Sequence, residues 1–126
     1  MKKTIVATES APAAVGPYSQ AVAGGGLLFC SGQIPLDPQT GELVGGSIGD
    51  QTRRCMQNLE AVLEAGGTSI EGIVKTTVFL TNIDDYAEFN EAYATFVGAE
   101  PPARAAFAVS ALPKGASVEI ECIAQL

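Results

Sequence analysis

The residues with the clearest chemical potential lie near the end of the chain, in the segments PPAR at 101–104 and VEIE at 118–121. An arginine guanidinium presents a rigid fork of N–H donors that fits a carboxylate, and a glutamate can hold or deprotonate a water molecule. We therefore expect Arg104 and Glu119, on neighbouring strands of a weakly charged sheet, to act together on a small organic acid.

Both residues also have an ordinary structural interpretation. Arg104 lies in an apolar strand, where an unpaired guanidinium is costly, so an internal ion pair with Glu119 or Glu121 would satisfy it. Glu119 and Glu121 are two residues apart and point to the same face of their strand, where both can line a solvated edge or a subunit contact. The residues alone leave these alternatives open.

Three further positions can contribute to a binding site. Tyr18 follows a Gly-Pro pair that can aim its phenol at a pocket, although a tyrosine at this point commonly packs. Ser31 and Gly32 end a predicted strand, where a hydroxyl and an unhindered amide can donate to an anion, the alternative being a simple turn. The glycine run at 24–26 has no P-loop spacing and predicts a hairpin turn.

Composition excludes several classes of chemistry. The chain has no histidine, which removes Ser-His-Asp and Cys-His nucleophiles and His-ligated zinc. Cys30, Cys55 and Cys122 form no Cys-x-x-Cys motif, so we expect buried thiols and neither disulfides nor a metal site. A net charge of −7 with seven scattered cationic residues argues against a nucleic-acid partner.

The length of 126 residues predicts one domain spanning residues 1–126. Its apolar runs are far shorter than the roughly 18 residues that indicate a bilayer span. Polar residues at 8–10 interrupt any signal-peptide pattern. We expect a soluble, cytoplasmic protein with no membrane partner.

Hydrophobic patterning predicts an α+β fold with the order β-β-β-α-β-α-β-β. Strands are expected at residues 4–7, 18–22, 27–31, 73–80, 103–109 and 117–124, and a helix between 47 and 66. A second helix is expected after a cap at Thr81 or Asn82, with an apolar stripe formed by Ile83, Tyr86, Phe89, Tyr93 and Phe96. Right-handed crossovers place both helices on one face of the sheet. The strands at 27–30, 73–80 and 103–109 lack a polar face, so the uncovered side predicts a closed homo-oligomer with Arg104 and Glu119 at or beside an interface.

Several segments, taken together and in order, resemble the Rid family of reactive intermediate deaminases, also called YjgF-type proteins. The segments are GPYSQA at 16–21, SGQIPLDPQTGE at 31–42, QNLEAVLEAGG at 57–67, VKTTVFL at 74–80, PPAR at 101–104 and LPKGASVEIE at 112–121. The resemblance covers essentially the whole chain. It implies a chorismate-mutase-like α+β fold assembled as a homotrimer, with three sites in the clefts between subunits.

The resemblance also implies an activity, the hydrolysis of 2-iminobutanoate and 2-iminopropanoate to 2-oxo acids and ammonia, with no cofactor or metal. These enamines and imines are released by pyridoxal-phosphate dehydratases acting on threonine and serine. By position, Arg104 matches the arginine that grips the substrate carboxylate, and Glu119 matches the glutamate that positions the attacking water. The matches to residues lining the same cleft are Tyr18, Ser31, Gly32 and Asn90.

One position departs from the family pattern. Many members have a cysteine two residues after the arginine, whereas this chain has Ala106, which argues against a thiol-based role there. The main alternative function is a non-catalytic trimer that binds 2-oxo acids as a sensor. Ribonuclease or chaperone activity, both attributed to relatives, is a further alternative, and the acidic charge and missing histidine count against the nuclease.

Overall fold

The computed structural model describes residues 2–126 and confirms the predicted α+β class and element order. In chain order the elements are β1 (Thr4–Val6), β2 (Ala21–Gly24), β3 (Leu27–Gln33), α1 (Ile48–Ala65), β4 (Ile73–Leu80), α2 (Tyr86–Val97), β5 (Ala103–Ala108) and β6 (Val118–Gln125). Neither of these helices is long and apolar enough to cross a membrane.

The second strand starts later than predicted, at Ala21 and not at residue 18. Gly16 has a φ of 138° and the amide of Tyr18 donates to its carbonyl, so the chain turns here instead of extending. The buried side chain of Gln20 then holds this N-terminal loop by donating to the carbonyls of Thr8 and Pro12 at 3.0 and 2.8 Å. Tyr18 consequently lies on a loop.

The strand order in the sheet is β1-β2-β3-β6-β4-β5, with β4 and β5 parallel and the other pairs antiparallel. The prediction that Arg104 and Glu119 lie on neighbouring strands is therefore wrong, because β4 separates β5 from β6. The crossover through α2 lays β5 along the outer side of β4. The turn after β5 then returns the chain to the opposite side of β4.

The core lies between the sheet and α1. Leu28, Val78 and Ile120 from three strands are fully buried, as are Met56 and Leu59 of α1. Full burial of each large apolar side chain is worth about 1.5–3 kcal/mol, so this layer fixes the helices to one face of the sheet.

Within residues 2–126, no helix covers the other face of the sheet. Phe29 and Phe107 are 46% and 45% exposed, and Phe79 packs edge-on against Phe107 with ring centroids 5.3 Å apart. Residues 27–30 lack a polar face, yet within one chain only one side of this strand is buried, since Leu28 and Cys30 are buried and Phe29 is not. We call Phe29, Phe79, Phe107 and Ile123 the open apolar face.

A long loop, residues 34–47, connects β3 to α1, and one buried asparagine holds it in place. The side-chain amide of Asn58 donates to the carbonyl oxygens of Leu36 at 2.9 Å and Ile34 at 3.4 Å. Its own amide oxygen accepts from Arg54 at 3.2 Å. Because Asn58 is fully buried, these groups depend on one another for their hydrogen bonds.

Replacing Asn58 with alanine is expected to lower the free energy of unfolding by about 2–4 kcal/mol, because two loop carbonyls lose their donor. Gln57→Ala, an exposed neighbour on the same helix, serves as the control and should change it by less than about 0.5 kcal/mol. Urea unfolding followed by circular dichroism measures both. Equal unfolding midpoints for the two variants would contradict this role for Asn58.

Candidate functional site

A cavity of about 460 Å³ opens where β3 ends. The N-terminal loop, the β3–α1 loop and the turn before β6 surround it. Its lining includes Tyr18, Ser31, Gly32 and Glu119, so the structure brings four of the six predicted site residues together. Arg104 and Asn90 are not among the residues that line this cavity.

The end of β3 is irregular at this cavity. Cys30 pairs with Cys122 and Gln33 with Ile120, so the two residues Ser31 and Gly32 lie opposite the single residue Glu121. This is the arrangement of a β-bulge, which bends a strand and re-aims its side chains. The bulge turns the end of β3 toward the cavity.

Gly32 makes room for the carboxylate of Glu119. A Cβ atom added to Gly32 would lie 2.9 Å from Cδ of Glu119 and closer still to its Oε2. Any side chain at this position would displace the carboxylate. The glycine is therefore needed for space, which is a more specific reason than the open amide that the sequence indicated.

Ser31 and Tyr18 differ in their freedom to meet a ligand. The hydroxyl of Ser31 donates to the carbonyl of Ser19 at 2.6 Å, so in this chain it fixes the N-terminal loop to β3. Tyr18 is exposed at the cavity, where its hydroxyl accepts a long hydrogen bond of 3.4 Å from the amide of Val15. Of the two, Tyr18 has the more available polar group.

Glu119 is half-buried, and its pKa is raised above the usual value for a glutamate. Burial is the larger cause because it disfavours the charged form, and the negative charge of Glu121 on the same strand face adds to it. A glutamate with a raised pKa holds a proton more strongly than a solvated one. Such a group is suited to accept a proton from water and return it.

Lys114 is a cavity residue that the sequence did not single out. It is the one non-glycine residue with positive φ in residues 2–126, at 59°. Its ammonium group donates to the carbonyl of Gly41 at 3.0 Å and so ties the turn before β6 to the β3–α1 loop. The turn LPKG was the sequence signal that could have indicated this residue. In it, Lys114 and the following glycine both adopt left-handed backbone.

Arg104 lies on the other face of the sheet. It pairs with Thr76 of β4, which is fully buried and whose hydroxyl bonds to Tyr93 of α2 at 2.7 Å. The side chain of Arg104 contacts the same helix. Its Nη2 donates to the hydroxyl of Tyr86 at 2.7 Å.

Three aromatic rings surround the guanidinium of Arg104. Its Cζ lies 5.5 Å from the ring centroid of Tyr86, 5.6 Å from that of Phe89 and 5.0 Å from that of Tyr93. All three distances allow cation–π attraction. We call these three residues the aromatic cradle; from the sequence they were interpreted only as an apolar helix stripe.

No carboxylate in residues 2–126 lies within ion-pair distance of Arg104. The salt bridge that these residues do form joins Arg53 to Asp50 on α1. The interpretation of Arg104 as half of an internal ion pair with Glu119 or Glu121 is therefore not supported. Asn90 lies on α2, four residues after Tyr86 and three before Tyr93, which places it on the same side of the helix as these rings. It belongs with Arg104 and not with the cavity.

The predicted site residues thus form two groups on opposite faces of the sheet. Glu119 pairs with Phe79 and Arg104 with Thr76, so the two backbones are about 10 Å apart along the strands and about 10 Å apart across them. One small organic acid cannot contact both side chains of a single chain. If they act together, they must come from different chains.

Comparisons with known proteins agree with the sequence motifs and the fold. The family model described as Endoribonuclease L-PSP matches residues 8–126. A RutC family protein from Pyrococcus horikoshii is 51% identical over 97% of each chain, and the mouse 2-iminobutanoate/2-iminopropanoate deaminase is 44% identical over 97% of this chain and 90% of its own. The solved structure of YyfA from Yersinia pestis, of the Rid protein family, is 50% identical with a TM-score of 0.96 and covers 99% of this chain and 100% of its own. This chain belongs to the YjgF/Rid family, to which the L-PSP model refers.

Replacing Glu121 with glutamine is expected to lower the pKa of Glu119, because removing a like charge favours the ionised form. The pKa should remain above its usual value, since burial, the larger cause, is unchanged. The carboxyl carbon shift of Glu119 followed by NMR against pH measures this. The control is Glu60→Gln, an exposed residue of α1, and a Glu119 titration that is the same in all three proteins would contradict the assignment.

Proposed function

We propose that this protein is a hydrolase of reactive imines, converting 2-iminobutanoate and 2-iminopropanoate to 2-oxo acids and ammonia. The observation that carries the proposal is the guanidinium of Arg104, which is held by aromatic rings and a hydroxyl and has no carboxylate partner among the described residues. Such a group is available to bind the carboxylate of a small acid. The mouse relative is named for this activity, and the family supports a small-molecule ligand.

We also propose that the chain forms a homotrimer in which Arg104 and Asn90 of one subunit meet the cavity of the next. Two features support contact with another copy of the chain, and the resemblance to the Rid family implies that three copies assemble. The open apolar face needs a cover, since exposed apolar patches of this kind commonly mark interfaces. In addition, β5 is an edge strand, so Arg104 lies at the border of the subunit, where it can reach a neighbour.

The proposed reaction needs a positioned carboxylate, a water molecule and one proton-transfer group. Arg104 binds the substrate carboxylate and so places the imine carbon against the cavity of the neighbouring subunit. Ionised Glu119 takes a proton from water as the oxygen adds to the C=N carbon. It then returns that proton to the nitrogen, which gives a tetrahedral adduct with one hydroxyl and one amino group. As the C=O bond forms, Glu119 transfers the hydroxyl proton to the amino group, the C–N bond breaks and ammonia leaves. Gly32 gives Glu119 room to hold that water, and Tyr18 borders the same space.

Replacing Arg104 with alanine is expected to reduce kcat/KM for the imine by a factor of roughly 30 to 1,000, because a charge-assisted contact to the substrate is lost. Arg104→Lys keeps the charge without the planar fork and should fall between. Ammonia release is measured with imines formed in a coupled threonine or serine dehydratase assay. Arg53→Ala, which removes an exposed arginine of α1, is the control and should retain wild-type rates.

Two results would count against the proposal. An Arg104→Ala protein as active as wild type would show that the guanidinium does not hold the substrate. A wild-type protein that binds 2-oxobutanoate in calorimetry but releases no ammonia would favour the alternative function, a trimer that senses 2-oxo acids.

A further inference from the structure

We infer that Tyr86 is a positioning residue for carboxylate binding, and that it acts through its hydroxyl by fixing the rotation of the Arg104 guanidinium. The inference rests on the proposed function, in which Arg104 binds the substrate carboxylate. Tyr86 was expected from the sequence only to fill an apolar helix stripe. Its contact with Arg104 gives it a more specific role.

The three aromatic rings attract the guanidinium without orienting its hydrogens. Cation–π attraction depends mainly on the distance of the charge from the ring face, and the three centroid distances are similar, from 5.0 to 5.6 Å. The rings therefore hold the cation in place but leave the direction of its N–H fork loosely determined. A carboxylate needs that direction, because two parallel N–H···O bonds form in only one plane.

The hydrogen bond to Tyr86 supplies this direction. Nη2 of Arg104 donates to the Tyr86 hydroxyl at 2.7 Å, a length typical of a charge-assisted bond. It occupies one of the five N–H donors, and no carboxylate in residues 2–126 occupies any of the others. The Tyr93 hydroxyl is bonded to the buried hydroxyl of Thr76, so this second cradle tyrosine serves mainly to anchor α2 to β4.

Tyr86 is itself held at a defined place. It is the first residue of α2, and the preceding turn is capped by Asn82, whose side chain accepts from the amide of Asp84 at 3.0 Å. Two residues further on, Glu88 accepts from the amide of Gly49 at 3.0 Å and links the starts of α2 and α1. Tyr86 is 39% exposed and Arg104 is partly exposed, so neither residue of the pair is closed off from solvent within one chain.

Tyr86→Phe tests this inference because it removes one oxygen and keeps the ring. We expect kcat/KM for the imine to fall about tenfold, mainly through a higher KM, since the carboxylate is bound in the ground state and the transition state alike. The affinity for 2-oxobutanoate, measured by calorimetry, should fall by a similar factor. Thr95→Val is the matched control, because it removes a hydroxyl of α2 that bonds to the Ala92 carbonyl within the same helix.

A second readout does not depend on turnover. The guanidinium N–H signals of Arg104 in NMR spectra should show slow rotation about the Cζ–Nη bonds in the wild type and in Thr95→Val, and faster rotation in Tyr86→Phe. A merely structural role for Tyr86 would lower stability without this change. Tyr86→Leu, which also removes the ring, should weaken 2-oxobutanoate binding further than Tyr86→Phe.

The outcomes separate the two proposals. If the wild type binds 2-oxobutanoate in a Tyr86-dependent way but releases no ammonia, the proposed function fails and the role of Tyr86 stands. If Tyr86→Phe matches the wild type in KM, 2-oxobutanoate affinity and guanidinium rotation, the role of Tyr86 is refuted whatever the activity. If the wild type neither turns over imine nor binds 2-oxobutanoate, both are refuted.

Discussion

The candidate site is built around a cation, Arg104, that has no counter-charge among residues 2–126. Arg104 is partly buried beside α2, where an internal carboxylate would stabilise it most, yet its contacts are three rings and a hydroxyl. Cation–π contacts offset part of the desolvation of the guanidinium, at about 0.5–2 kcal/mol each. A carboxylate of the chain would occupy the donors that a ligand needs. The fold keeps Arg104 in place and leaves its fork open.

The strand order and register determine where Arg104 lies relative to the cavity. Arg104 of the edge strand β5 pairs with Thr76, whereas Glu119 pairs with Phe79, and these two residues of β4 point to opposite faces. Arg104 and the cavity with Glu119 therefore lie on opposite faces of the sheet. The open apolar face and the edge position of Arg104 both favour contact with another copy of the chain. An assembly that covers this face and brings Arg104 to a neighbouring cavity would resolve both features at once. The chemistry and the assembly are therefore one proposal.

Elements with strong periodic patterns could be predicted from the sequence, and their pairing could not. The spacing of Cys55, Met56, Leu59 and Val62 predicts α1, and all four are fully buried. The sequence does not show whether the last strand pairs with β5 or with the free side of β4, because both placements satisfy the hydrophobic pattern. The error over Arg104 and Glu119 followed from this, since they were assigned to adjacent strands.

At the site, too, the sequence could predict which residues take part but not how they are arranged in space. Motif positions indicated Tyr18, Ser31, Gly32 and Glu119, and the structure places all four at one cavity. The reason for Gly32 is spatial and could not be predicted, because it depends on how closely β3 approaches the Glu119 side chain. The cradle was missed because aromatic residues at helical spacing indicate a core, and only the register of β5 against β4 brings Arg104 over them.

Subunit complementation tests the central claim most directly. Arg104→Ala and Glu119→Gln subunits, each inactive alone, are unfolded, mixed in equal amounts and refolded, and mass spectrometry verifies that mixed trimers form. If each site takes Arg104 from one subunit and Glu119 from the next, about one quarter of the sites in randomly mixed trimers are intact, and ammonia release should recover to about that fraction of the wild-type rate. Mixed trimers that remain inactive would contradict a site shared between subunits.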